Sequence, residues 1–335
     1  MSGRDTHIGL AHGNGGRLMR QLIEELFARY LGNPHLDTSL DAAHVPFDGD
    51  GTLAITTDGF TVQPLEFPGG NLGSLAVHGT VNDLAVSGAL PRYLSLNVFI
   101  EDGTEMAVLE RLVASMGQAA RDCGVSVVAG DTKVVGRGEC GGVYFATTGI
   151  GTRQPGVELG VDRIRPGDRI LVSGPVGDHG AAVMLARGEF GLSGDLASDS
   201  ASVLPTAGAL MGVEGLRFMR DPTRGGLATV VNDLARLTGM GIRLGEENIP
   251  VRESVAAACE VLGFDPFYLA CEGRIVAVVA EDVAATALEA LGDVAPEAAI
   301  IGEMTPEERS VVLQTSLGGE RILDELEDDP LPRIC

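Results

Sequence analysis

The chain has 335 residues, is 44% hydrophobic and carries a formal charge of −23, which is enough apolar content for two packed domains. That charge argues against nucleic acid and anionic membranes as general partners, so any bound phosphate must be held locally, by metal, backbone amides or a few cations. No apolar run is long enough to cross a bilayer, and the start "MSGRDTHIGLAHG" lacks the segments of a signal peptide.

Five cysteines without paired spacing argue for free thiols in a reducing compartment, expected to be the cytoplasm, rather than a disulfide framework. One of them, Cys335, is the last residue of the sequence. A prenylation box needs its cysteine fourth from the end, so this thiol does not qualify. At so mobile a position it is expected to pack nothing and close no core, which leaves an accident of the terminus or a place of attachment.

The predicted elements alternate. "GRLMRQLIEELFARYLG" places apolar residues at helical spacing, and the glycine-rich "AHGNGG" before it offers free amides to a phosphate. The same stretch also serves as a plain helix cap, and it matches neither a Walker A loop nor a dinucleotide fingerprint. Strands follow at "TLAITTDGF", "PRYLSLNVFIE", "VSVVAG" and "GVYFATTGIG", with helices over "NLGSLAVHGTVNDLAVSGA" and "TEMAVLERLVASMGQAARDCG". A Pro/Gly-punctuated stretch, "VDRIRPGD", marks a boundary. The second half restarts at the strand "RILVSG". It runs through helices at "HGAAVMLAR", "RGGLATVVNDLARLTG", "VRESVAAACEVLG" and "DVAATALEALG" and strands at "RIVAVVA" and "AAIIGEM". The expected organisation is a glycine-rich segment and helix over 1–40, an α/β domain over 41–155, a second α/β domain over 156–317 and a tail over 318–335.

Four acidic turns stand out, with Asp58 in "TTDGF", Asp83 in "TVNDLA", Asp131 in "AGDTK" and Asp221 in "RDPTRGG". Carboxylates at such places hold Mg²⁺ against phosphate oxygens, or simply cap helices and make turns. Lys133, in "GDTK", is the only lysine of the chain. An ammonium is a compact, tunable charge that guanidinium does not replace beside a phosphate or developing oxyanion, although a bias toward arginine also leaves one lysine by chance. Glu272 in "ACEGRI" fits a general base or a solvated edge-strand residue. His179 in "GDHGAA" fits a phosphate ligand or a helix cap. The other histidines show no zinc spacing, and Cys123 and Cys259 lie on apolar helix faces and read as core.

"TDGF", "GTVNDLAVSGA", "GDTKVV", "GDHG" and "DPTRGG" together resemble the ATP-binding superfamily of aminoimidazole ribonucleotide synthetase. With the terminal "PRIC", the chain resembles one family within it, the HypE carbamoyl dehydratases of hydrogenase maturation. The resemblance implies a two-domain α/β (α+β) fold with mixed sheets and a flexible C-terminal tail, and a homodimer paired through the N-terminal sheet. It also implies ATP and Mg²⁺ in the cleft between the domains.

Carried over motif by motif, Asp58, Asp83, Asp131 and Asp221 would be the metal and phosphate carboxylates. Gly13, Asn14, Gly15, Gly16, Asn82, Gly130, Thr132 and Thr223 would meet the nucleotide, and Lys133 and Glu272 would stand at the group carried by Cys335. The implied chemistry is ATP-dependent dehydration of an S-carbamoyl group on Cys335 to a thiocyanate. The implied partners are the carbamoyltransferase HypF as donor and a HypC–HypD complex as cyanide acceptor. A carrier without catalysis is the alternative. The tail has to move outward for loading and inward for reaction; "LPRIC" spans about 17 Å extended, Pro330 and Pro332 favour extension, and Arg333 would guide the end or merely solubilise it.

Overall fold

A computed structural model describes residues 6–13, 17–36, 45, 52–188, 194–306, 309–325 and 334–335. The first helical stretch is α1 (Arg17–Leu22), a π-helical turn (Ile23–Phe27) and α2 (Ala28–Leu31). The N-terminal domain continues with β1 (Leu53–Phe60), the short pair β2 (Glu66–Phe67) and β3 (Gly70–Asn71), α3 (Leu72–Val86) and β4 (Ala89–Glu101). It ends with α4 (Met106–Asp122), β5 (Ser126–Val135) and β6 (Val143–Arg153).

Four strands form one sheet in the order β1-β6-β4-β5. Pairing is antiparallel except between β4 and β5. Helices α3 and α4 cover one face, so Leu96, Val98 and Ile100 of β4 are buried there. The opposite face carries the alternate residues, among them Leu53 and Ile55, the latter 66% exposed, and Phe99. That alternation is the pleat of a sheet with one covered side. Asn71 caps α3, accepting from the amides of Gly73 and Ser74. A Cβ on Gly73 would stand 1.9 Å from the Leu112 carbonyl oxygen, and this close approach lets α3 and α4 share one layer.

The second domain comprises β7 (Arg169–Val172), α5 (Asp178–Arg187), α6 (Leu204–Met211), β8 (Leu216–Arg220), α7 (Gly226–Thr238), β9 (Gly241–Gly245) and α8 (Glu253–Leu262). It is completed by β10 (Val276–Val279), α9 (Ala284–Leu291), β11 (Ala299–Thr305), β12 (Val311–Gln314) and β13 (Glu320–Ile322). Its seven-stranded mixed sheet runs β13-β12-β9-β11-β7-β10-β8, and β13 carries it to Ile322, beyond the boundary expected at 317. A fully buried β10, "VAVV", marks a strand covered on both faces.

Two expectations change here. Of the four acidic turns, only Asp221 lies in one, directly after β8. Asp58 lies within β1, Asp131 within β5 and Asp83 in the last turn of α3. Neighbouring glycines suggested turns, but strand pairing continues through them, Asp58 opposite Thr147 and Asp131 opposite Asn97. The second change concerns the end of the chain. Ile334 and Cys335 are 4% and 7% exposed and belong to the main hydrophobic cluster with residues of both domains. The thiol expected to pack nothing is part of a core, because the junction of the domains leaves a slot that two apolar residues fill.

Candidate active site

The site forms where the covered face of the first sheet meets the second domain. Asp58 and Thr56 sit two apart on β1 and so point the same way. The Thr56 hydroxyl donates to Asp83 Oδ2 at 2.6 Å, and the Asp83 carboxyl lies close enough to perturb that of Asp58. Burial and then the Asp83 charge push Asp58 up to about 6, with Arg224 opposing. Asp221 is pushed up to about 7, by burial first and then by Asp83 and Asp58. Three carboxyls thus share a space that does not hold three negative charges comfortably.

The loop after Asp221 is shaped by two successive glycines with left-handed backbone, Gly225 at φ 71° and Gly226 at φ 58°. A side chain on Gly226 would meet the Leu269 carbonyl at 2.4 Å. The loop is fastened to the turn that carries Glu272 by the Cys271 amide, which donates to the Pro222 carbonyl at 2.9 Å. Glu272 follows. It is 2% exposed, and burial, Asp221, Asp199 and Asp58 hold its carboxyl well above the usual range, while a hydrogen bond from Cys335 works against them. Its Oε1 has no hydrogen-bond partner among the described residues. On the other side of the sulfur, Arg224 Nε donates to Cys335 Sγ at 3.4 Å. The thiol therefore stands between a cation and a buried acid, next to an aspartate cluster.

Asp199, Arg224 and Thr61 were not singled out by the sequence, whereas His179 was, as a phosphate ligand or a helix cap. Asp199 accepts from the amides of Glu272 at 3.0 Å and Gly273 at 3.3 Å, with Arg274 Nε 3.5 Å away, and so holds the Glu272 turn. Arg224 lies inside "DPTRGG", where only its neighbours attracted notice. Thr61 and His179 contact the backbone of the last two residues: the Thr61 amide donates to a carboxylate oxygen of Cys335 at 3.2 Å, and His179 Nε2 lies 2.7 Å from the Ile334 carbonyl. His179 is therefore neither a helix cap nor exposed to a phosphate. No spacing signal marks such long-range partners; only "GDHG" as a motif pointed to the histidine.

The structure does not gather all the expected residues in one place. Asp131 and Lys133 pair with each other at 3.3 Å on the open face, 52% and 61% exposed, whereas Asp58 points to the helix-covered face. β1 and β5 are the two opposite edges of the sheet, so Lys133 does not stand beside Glu272. Gly13 lies at the β5 edge, where a Cβ would meet the Val134 amide nitrogen at 2.8 Å. Gly130 approaches Leu96 on β4 just as closely, and the Thr132 side chain is buried. Thr223 sits in the turn leading to α7, its carbonyl accepting from the Gly226 amide. Asn82 is committed to protein. Its Nδ2 donates to the carbonyls of Ala201 and Glu272, and its Oδ1 accepts from the Val203 amide. Asn14, Gly15 and Gly16 lie outside the described residues, as do Pro330, Pro332 and Arg333. Among the described residues no group of three or more His, Cys, Asp or Glu side chains holds a metal by itself; Mg²⁺ ordinarily takes one or two carboxylates and completes its shell with water and phosphate oxygens.

Comparison with known proteins bears on the fold and the family. Residues 39–152 and 165–314 match the N-terminal and C-terminal domains of the AIR synthase related proteins. The carbamoyl dehydratase HypE of Azotobacter vinelandii is 48% identical over 336 residues, covering 99% of this chain and 98% of the relative. This chain belongs to the HypE family. A crystal structure of the hydrogenase maturation protein HypE in complex with ATP superposes at a TM-score of 0.92, with 46% identity over 98% of this chain and 99% of that one. A HypE–HypF complex superposes at 0.80, with 42% identity over 91% and 99%. The two-domain mixed α/β architecture of this chain is thus that of the HypE family.

Proposed function

We propose that this protein is an ATP-dependent carbamoyl dehydratase that acts on its own Cys335. The reading rests above all on the placement of the Cys335 sulfur between Arg224 and Glu272, against the Asp58–Asp83–Asp221 cluster. Its reaction converts S–C(=O)–NH₂ to S–C≡N. The carbamoyl oxygen leaves on phosphate after transfer of the γ-phosphoryl of ATP, and two protons leave the nitrogen. The aspartates that crowd one another would hold Mg²⁺, which when bound supplies the charge that orients the triphosphate.

The chain's own residues do the rest. Arg224 fixes the sulfur. Glu272 accepts protons from the cargo nitrogen, and its partnerless Oε1 is the atom a carbamoyl N–H would meet. Burial and three neighbouring carboxyls make Glu272 a strong base once ionised. Asp199 keeps its backbone in place.

Lys133, Asp131 and Gly13 join this site from a second protomer. The open sheet face, with Leu53, Ile55 and Phe99, suits a twin sheet laid over it. Such pairing brings the β5 edge of one protomer toward the β1 edge of the other. HypF as the donor of the carbamoyl group and a HypC–HypD complex as the cyanide acceptor complete the proposed role in hydrogenase maturation. The five free thiols suit a reducing compartment, the cytoplasm.

The deciding experiment incubates the carbamoylated protein with MgATP and reads intact mass. Loss of one water from the modified terminus, with one ADP per event, is the expected result. An unchanged carbamoyl group would leave a carrier without catalysis.

A further inference from the structure

The last two residues are gripped by their backbone, independently of the sulfur. His179 is fully buried. Its ring touches the edge of Phe67 with centroids 5.3 Å apart, and its Nδ1 lies 2.7 Å from Ser198 Oγ. Burial drives its pKa down to about 4, so the ring is neutral and carries one N–H. The Ile334 carbonyl only accepts, which assigns that hydrogen to Nε2 and makes Nδ1 the acceptor of the Ser198 hydroxyl. Ser198 Oγ accepts in turn from the Ser200 amide at 2.9 Å. The donors run in one direction, from the Ser200 amide through Ser198 and His179 to the Ile334 carbonyl, and such chains strengthen their members. One residue on, the Thr61 amide donates to a carboxylate oxygen of Cys335, with the Thr61 hydroxyl at 3.4 Å from the same atom.

We propose that His179, oriented by Ser198, and Thr61 are positioning residues that clamp the last peptide and set the depth of the Cys335 sulfur between Arg224 and Glu272. Because the clamp reads only main-chain oxygens, the Ile334 carbonyl and the Cys335 carboxylate, it grips the tail in the same way whether the sulfur is free, carbamoylated or cyanated. It releases the tail by breaking hydrogen bonds alone, with no covalent bond to cut. Its purpose rests on the dehydratase reading; its existence does not.

The test is the rate at which iodoacetamide alkylates each cysteine of the full-length protein, followed by intact and peptide mass without ATP or cargo. In His179→Ala the Cys335 rate rises about tenfold, the weight of one ordinary hydrogen bond. In Ser198→Ala, where the histidine remains but loses its orienting partner, the rate rises in the same direction by less. Buried Cys259 and Cys271 keep their wild-type rates in both. Carbamoylated His179→Ala then loses water more slowly with MgATP, while its loading is not slowed. Wild-type alkylation of Cys335 in both variants overturns the clamp. So does a parallel rise at Cys259 and Cys271, which would mean a loosened fold. If wild-type carbamoylated protein fails to lose water, the dehydratase reading falls while the alkylation result still decides the clamp.

Discussion

Asp221 shows how one residue is placed at a cost to the fold. Its pKa is raised to about 7 by burial and by Asp83 and Asp58. A carboxyl raised in the folded state contributes stability that is fully present below its unfolded value of 3.8 and lost as pH rises through about 7. Asp221→Asn carries no such liability. Without nucleotide or Mg²⁺, the variant should melt roughly 5 °C or more above wild type at pH 8, with the difference closing near pH 4. The same variant should lose MgATP binding, read by calorimetry. His179 has the opposite sign. Its folded pKa of about 4 lies below the unfolded 6.5, so its contribution is present above pH 6.5 and lost as pH falls toward about 4. Urea unfolding of wild type and His179→Gln should therefore converge by roughly 3 kcal/mol between those pH values. Parallel pH profiles would mean that the ring is not buried neutral.

At the scale of elements, α3 is the post to which the site is tied. Its N-terminal half packs on α4 through Gly73, and its last turn carries Asp83. Between them Asn82 spends its amide on three backbone groups of the second domain, one of them the Glu272 carbonyl. Asn82→Ala leaves those buried groups without partners, and a loss of roughly 2–3 kcal/mol in unfolding free energy is expected. Turnover should fall with it, since the Glu272 turn loses a tether. Unchanged stability would show that water replaces the amide at no cost. The helical period of α4 and α7, the small-residue run of α3 and the alternation of β1, β4 and β6 were legible in the sequence. The short β8, β9, β12 and β13 were not, since their three to five residues mix in arginine, glycine or other polar residues, unlike the apolar runs of β7 and β10, and they form only because neighbouring strands pair with them.

The whole molecule decides whether the expected site is one place or two. Asp58, Asp83, Asp221, Glu272 and Cys335 come together at the β1 edge, while Lys133, Asp131 and Gly13 lie at the β5 edge. A dimer with composite sites makes a specific prediction. Lys133→Ala and Asp221→Asn should each be inactive alone. Mixed in equal amounts and allowed to exchange, they should recover about a quarter of wild-type activity, because half the dimers are hybrids with one intact site each. Failure to recover would place Lys133 and Asp221 in the same protomer's site or remove one from the reaction.

The sequence by itself determined the family motifs and the candidates they nominate: the acidic motifs, the lone lysine, Glu272 and the final cysteine. These choices are local, because residue type and neighbouring glycines restrict what a short stretch can do. It did not determine the grouping. Which face of a strand an aspartate takes depends on pairing register, and a one-residue shift would reverse it. Only the tertiary structure put Asp58 and Asp131 on opposite faces, gave the Asn82 amide to the second domain, and drew Ile334 and Cys335 into a core held by His179 and Thr61. The reason is distance along the chain: Cys335 meets Thr61 across 274 residues, and no local pattern encodes a contact of that span.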